Sequence, residues 1–164
     1  MLSFNKHITI GNTLVSLDSA TFVIAEAGVN HNGDMKLAKQ LVDIACIANA
    51  DAVKFQSFKT ENLILKSVEK AAYQKDTTGT TATQFQMLKK LELSIEKMAD
   101  LQDYCNRKGI IFLTTPFDEQ SLDELDILNL PAYKVSSTDL TNISFVKKVA
   151  AKAKPMILST GMSY

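Results

Sequence analysis

Five short apolar runs of β type alternate with helical stripes along the chain, and every one of those runs ends in polar side chains. Together the two observations predict an α/β protein, a (β/α)8 TIM-type barrel of which the chain holds about the first five strands. The alternation calls for parallel strands joined by right-handed crossovers. The polar ends then favour a barrel over a doubly wound sheet. In an open sheet only the strands beside one crevice carry chemistry, whereas in a barrel every strand delivers side chains to one mouth. The absence of a GxGxxG or P-loop glycine pattern weakens nucleotide-binding alternatives further.

The first run, residues 22–27 (FVIAEA), is followed by Asp34, which caps a helical pattern with Leu37, Leu41, Ile44, Ala45 and Ala48 on one stripe. Residues 52–58 (AVKFQSF) form the second strand. The stretch after it, at about 59–93, is too long for a βα loop, which typically has roughly 2 to 6 residues. It holds the turn-rich run DTTGTT and a short helical pattern from Phe85 to Leu91, and reads as an inserted lid or substrate-binding element. Ile95, Met98, Leu101 and Cys105 make the next helical stripe, ended by Gly109. The pattern then tightens: strand 110–114 (IIFLT), helix 119–128, strand 132–136 (AYKVS), helix 144–153, and strand 156–160 (MILST) after Pro155. The polar ends are Glu26, Lys54 with Gln56, Thr114 with Thr115, Lys134 with Ser136, and Ser159 with Thr160. A barrel needs eight strands, so the chain reads as a piece of a longer protein, with open edges that a partner or second copy would have to cover.

The 164 residues carry 18 Lys or Arg and 18 Asp or Glu, a formal charge of zero spread evenly along the chain. Such a balance argues against nucleic-acid and membrane-surface binding. The 46% hydrophobic content, with 6 Gly and 3 Pro, is that of one ordinary globular domain. No apolar run reaches the roughly 18 residues of a membrane span, and the N-terminus lacks a signal-peptide layout, so a cytoplasmic protein is expected. Cys46 and Cys105 stand in apolar helical stretches without CxxC spacing and read as reduced thiols.

Period-two alternation puts Lys54 and Gln56 on one face of the second strand, and Lys134 and Ser136 on one face of the fourth. Two lysines on inward faces are costly unless an anion binds there or a carboxylate pairs with them, so a phosphorylated or carboxylated ligand, or an ion pair from Lys54 to Glu26, is expected. Lys134 alternatively suits a Schiff-base lysine if burial lowers its pKa. Ser137, Thr138, Ser159, Thr160 and Gly161 add hydroxyls and backbone donors suited to phosphate oxygens. Glu26 is the carboxylate of the first strand, fit for proton transfer or for holding a sugar hydroxyl. His31, in an Asn/Gly-rich turn, reads equally as a ligand or as a turn residue. His7 carries no role.

Six motifs stand in register: IAEAGVNHNG (24–33), DAVKFQ (51–56), LKKLELS (88–94), TTPFD (114–118), KVSSTDLTN (134–142) and ILSTGMS (157–163). Together they resemble the N-acetylneuraminate (sialic acid) synthase family, including the legionaminic and pseudaminic acid synthases, over nearly the whole chain from Thr21. The YQKDTTG run looks closer to the sialic and legionaminic branch. The resemblance implies a (β/α)8 barrel that condenses phosphoenolpyruvate with the open-chain form of an N-acetylated hexosamine such as N-acetylmannosamine, using a divalent metal, usually Mn2+. On this chain it implies a catalytic Glu26 near the sugar and the reacting centre. Lys54 and Lys134 would bind the phosphoenolpyruvate anion, with Thr115, Ser137 and Ser159 around its carboxylate and phosphate. Tyr73 and Gln74 would approach the sugar.

The implied chemistry needs no Schiff base. C3 of phosphoenolpyruvate attacks the aldehyde, water adds at C2, and the adduct expels phosphate, stabilised as it leaves by the lysines. Residues 1–164 would then be the N-terminal part of the synthase barrel, lacking the rest of the barrel and an antifreeze-like C-terminal domain. Metal ligands are expected beyond Tyr164 and none within the chain. The full-length enzyme is expected to be a homodimer, and the 164 residues alone inactive. The competing readings are a barrel aldolase using Lys134, and a non-catalytic half-barrel that binds anions or self-associates.

Overall fold

The structure, a computed structural model, describes residues 5–66 and 83–161. It opens with an antiparallel hairpin, β1 (His7–Ile10) and β2 (Thr13–Ser16), then alternates strands with helices: β3 (Ile24–Gly28), α1 (Met35–Ile47), β4 (Ala52–Ser57), α2 (Thr60–Leu63), α3 (Gln84–Leu91), α4 (Ile95–Lys108), β5 (Ile111–Pro116), α5 (Glu119–Glu124), a 3-10 turn (Leu125–Leu128), β6 (Tyr133–Val135), α6 (Ile143–Ala151) and β7 (Met156–Leu158). Strands β3, β4 and β5 pair in parallel in that order, and β6 pairs in parallel with β7. The α/β alternation and parallel pairing expected from the sequence are therefore present.

Local chemistry sets the element ends. Asp34 caps α1 by accepting from the Lys36 and Leu37 amides at 2.6 and 3.3 Å. Thr83 and Gln86 form a capping box on α3. α4 stops at Gly109, whose φ of 74° is the left-handed conformation glycine supplies. The helix read as continuous over 119–128 is instead six residues of α-helix followed by a 3-10 turn, which ends at Asn129 in the left-handed region.

The two sheet faces have different partners. Val53, Phe55, Phe112, Tyr133 and Val135 face the helices and pack with Met98, Leu101 and Cys105 of α4, Phe145 and Val149 of α6, and α1. The stripe that α1 buries is Ala38, Val42 and Ala45, rotated from the expected one: Leu37 and Ile44 lie on its exposed flank. Alanine at the contact lets the helix axis approach the sheet, and the bulkier residues are displaced sideways. Cys105 is fully buried and its thiol is pushed up to about 12, mainly by burial; both cysteines are free.

On the opposite face Ala52, Leu113 and Ala132 pack with Ile10 of the hairpin, joined by Ile8, Val15, Phe22, Ile24, Ile111 and Ile157. The hairpin thus seals the N-terminal end of that face. The alternating ITIGNTLVS, with Gly11 at positive φ in a two-residue turn, is its sequence signature. Among the described residues no helix is long and apolar enough to cross a membrane.

Candidate functional site

The candidate residues sit two positions further along those strands. Period two carries the face of Ile24, Ala52 and Ile111 on to Glu26 and Lys54, and then to Gln56 and Thr115. In the second sheet the same progression leads to Lys134 and Ser159. The apolar lining gives way to charge within one step of the pleat.

Lys54 is 7% exposed and ion-paired with Glu26, which is more than half exposed at the rim. Its Nζ also donates to Thr115 Oγ1 at 3.3 Å. The ion pair from Lys54 to Glu26, which the sequence left as the alternative to a bound anion, is therefore present. Gly28 makes room for it. A β-bulge between Glu26 and Gly28 puts Gly28 at φ 55°, and a Cβ there would come within 3.2 Å of Glu26 Oε1 and 3.5 Å of Gln56 Nε2.

Lys134 has a different environment. Its Nζ donates to Ser159 Oγ at 2.6 Å and to the Val135 carbonyl at 2.8 Å, and among the described residues it forms no ion pair. Burial, and then the Lys54 ammonium, hold its pKa below the ordinary lysine value, opposed by Glu26. The two sheets thus bring both lysines and the glutamate within electrostatic reach of one another. Ser137 follows β6 and lies against Gly161, where a Cβ would be 3.6 Å from the serine hydroxyl. Tyr73 and Gln74 lie outside the described residues.

Two other candidates resolve. Thr114 points to the helix side, its hydroxyl 2.9 Å from that of Ser57. His31 is fully buried on that side, against Phe55 at 6.1 Å between rings; Nδ1 accepts from the Gly33 amide at 2.9 Å, and burial and Lys97 lower its pKa. It is a turn residue, turned away from the lysines. The sequence reading passed over Asp139, in the loop after β6, whose carboxyl is raised by burial although the Thr138 hydroxyl donates to it. Its place one turn beyond Lys134 in KVSSTDL was the available signal. Among the described residues no group of three His, Cys, Asp or Glu could hold a metal ion.

The chain is 51% identical over 141 residues to an N,N'-diacetyllegionaminic acid synthase of Legionella pneumophila, covering 86% of this chain and 40% of that protein. It is 36% identical over 142 residues to the human N-acetylneuraminate-9-phosphate synthase, covering 86% of this chain and 39% of that one. A crystal structure of an N-acetylneuraminic acid synthetase from Leptospira borgpetersenii, in complex with citrate, superposes with a TM-score of 0.80 at 30% identity, over 96% of this chain and 50% of that chain. The chain spans about two fifths of the length of these curated relatives. A NeuB family model matches residues 41–164. With this match over most of its length, the chain belongs to the NeuB family.

Proposed function

We propose that this chain is the phosphoenolpyruvate-binding part of a sialic-acid-type synthase, built as the first five strands of a (β/α)8 barrel. In this reading the enzyme joins phosphoenolpyruvate to the open-chain form of an N-acetylated hexosamine and releases phosphate. One observation carries it: two neighbouring ammonium groups share a single carboxylate. Glu26 neutralises Lys54, and among the described residues Lys134 has only neutral acceptors, so the described strand ends keep a cation without a carboxylate in a partly buried site. Holding such a charge there is costly, and an anion beside it offsets that cost. The identity to the legionaminic acid synthase favours a diacetamido hexose as acceptor, with N-acetylmannosamine as the alternative.

The chain's own residues then have defined tasks. Lys54 and Lys134 bind the phosphate and carboxylate, and Thr115, Ser137 and Ser159 orient them. C3 of phosphoenolpyruvate forms a bond to the aldehyde carbon, whose oxygen takes up a proton, and positive charge develops at C2. Water adds at C2 and gives up a proton, for which Glu26 is the carboxylate at the rim. The adduct breaks its C–O bond to phosphate while the C2 hydroxyl gives its proton to the departing phosphate and becomes the keto group, and the lysines stabilise the phosphate as it departs. A divalent metal, Mn2+ by the family resemblance, would polarise the aldehyde oxygen. The described residues do not by themselves make a site for it, so no step here runs through it.

The test is phosphate release from phosphoenolpyruvate with Mn2+ and each acceptor, run on this chain and on this chain joined to the strands its relatives carry beyond it. Release by the longer protein and none by the 164 residues is expected. The lowered pKa of Lys134 favours a second reading, Schiff-base chemistry at that amine. Borohydride with a keto acid decides between them, because covalent labelling of Lys134 would sink the synthase mechanism.

A further inference from the structure

His31 stands between the strand that carries Glu26 and the helix that follows it, and its ring is fully buried. The turn around it is a series of short backbone bonds: the Asn30 amide donates to the Ala27 carbonyl at 3.0 Å, Asn32 to Val29 at 3.0 Å, and Asp34 to His31 itself at 2.9 Å. The side chain reaches forward across the tip of that turn, where Nδ1 accepts from the Gly33 amide at 2.9 Å. A backbone N–H can only donate, so Nδ1 carries no proton and the neutral ring holds its hydrogen on Nε2. That Nε2 is buried and has no partner among the described residues.

The surroundings have no place for a second proton. On Nδ1 it would meet the Gly33 N–H, donor against donor, and the Nε2 hydrogen would remain unanswered. β4 presents the Phe55 ring, 6.1 Å away between centroids, while Lys54 and Gln56 of that strand face the other side of the sheet. α4 presents Lys97, a like charge. In the turn itself Asp34 is the carboxylate, and it is engaged with the Lys36 and Leu37 amides at the start of α1. α3 contributes a backbone group: a Cβ on Gly33 would lie 2.2 Å from the Lys90 carbonyl oxygen, and the Lys90 side chain is exposed. Burial, and then Lys97, lower the His31 pKa from the ordinary 6.5.

We propose that His31 is an acid-sensitive latch: its neutral ring closes the turn between β3 and α1, and with it the seat of α3, and proton uptake opens both. In the open form the ring leaves the core for water, the Gly33 amide loses its acceptor, and the Lys90 carbonyl loses the backbone it rests on. The latch goes beyond the synthase reading and does not depend on it. It lies just past the end of the strand that delivers Glu26.

Because the folded pKa lies below the unfolded one, the latch contributes its full stability above 6.5 and loses it as the pH falls from there through the folded value. Nuclear magnetic resonance on this chain reads the His31 ring and the Gly33 and Leu91 amides in one sample. Denaturant unfolding then compares the wild type with His31→Asn and His31→Phe from about pH 7.5 to pH 5. Asparagine offers an oxygen to the Gly33 amide and does not titrate; phenylalanine fills the space of the ring and removes the acceptor. The ring is expected to titrate below 6.5, with its hydrogen on Nε2 above that point. As it protonates, protection of Gly33 and Leu91, corrected for intrinsic exchange, should fall by about tenfold or more, and the wild-type unfolding constant should rise against both variants by up to about tenfold per pH unit. Gly33 should stay protected at every pH in the asparagine variant and at none in the phenylalanine variant. A ring that titrates at or above 6.5, or Gly33 protection that survives its protonation, overturns the latch. Gly33 opening with Leu91 unmoved overturns the part assigned to α3. An acid slope of equal size in all three proteins belongs to other groups and overturns the proposal as well. Should either variant fail to fold, the wild-type ring and amide titrations still decide.

Discussion

The two ends of the face that the parallel strands of both sheets share obey opposite rules. At the strand N-termini Ile24, Ala52, Ile111 and Ile157 form an apolar layer that the hairpin closes through Ile10. One pleat step later the same face presents Glu26, Lys54, Lys134 and Ser159. The first end gains stability from burial; the second holds charges whose desolvation costs stability unless something answers them. On the proposed reading stability and anion binding fall to different residues of the same strands, which makes them separable by mutation.

The largest effect is expected at the sealed end. Ile10→Ala removes a side chain that is 2% exposed and packed on Ala52, Leu113 and Ala132, leaving a cavity where the hairpin meets the sheet. It should cost about 2–5 kcal/mol in denaturant unfolding. Phosphoenolpyruvate affinity of the protein that remains folded should stay within twofold. A loss of affinity equal to the loss of stability would show that the two ends are not independent.

Lys134 gives the next effect, and its sign follows from its surroundings. Its folded pKa lies below the ordinary 10.5, first through burial and then through Lys54. Below that lowered value the folded protein bears the full cost of the charged amine, and stability rises as pH climbs from the folded pKa towards the unfolded one. Anion binding runs the other way, because it needs the ammonium. Affinity for phosphoenolpyruvate should be highest near neutrality and fall about tenfold per pH unit once Lys134 deprotonates, beginning below pH 10.5. Lys134→Met should remove that slope, weaken neutral-pH binding by about 1.5–3 kcal/mol, and leave the folding midpoint unchanged or higher. Calorimetric titration across pH checks all three, and a slope that survives in the methionine variant would assign it to another group.

How far the sequence carried this picture depends on how local each cause is. The parallel strands and the shared face of Lys54 and Gln56 were legible because alternation with period two is a short-range pattern, whereas the Lys54–Glu26 pair was only an alternative to a bound anion, since it joins two strands. The hairpin was written in ITIGNTLVS, but a two-stranded ribbon is marginal alone, and only the sheet end it covers shows why it forms. The stripe of α1 was misplaced by one residue, since apolarity alone does not tell whether alanine or leucine faces a sheet that needs close approach. His31 could not be decided from its turn, because its burial comes from Phe55, distant in sequence. The hydrogen bond from the Lys59 amide to Asp118 spans 59 residues and has no sequence pattern at all.

The smallest expected effect comes from a pair of adjacent threonines that sit on opposite faces of β5. Thr115 accepts from Lys54 Nζ at 3.3 Å, a long bond that leaves its own hydroxyl proton free to donate to a bound anion. Thr114 shares its hydroxyl with Ser57 under the helices, 2.9 Å away, where no ligand reaches. Thr115→Val keeps the shape and removes the hydroxyl, both its free proton and its long bond from Lys54, which retains Glu26. It should cost less than about 1 kcal/mol of stability and weaken phosphoenolpyruvate binding about fivefold. Thr114→Val should do the reverse, stranding the buried Ser57 hydroxyl at a cost of about 1–3 kcal/mol with affinity unchanged. Because neighbours in sequence share propensity and backbone, a crossed result of this kind can arise only from the face each side chain occupies. Equal losses of affinity in both variants would mean that the ligand senses the strand as a whole and not the hydroxyl that faces it.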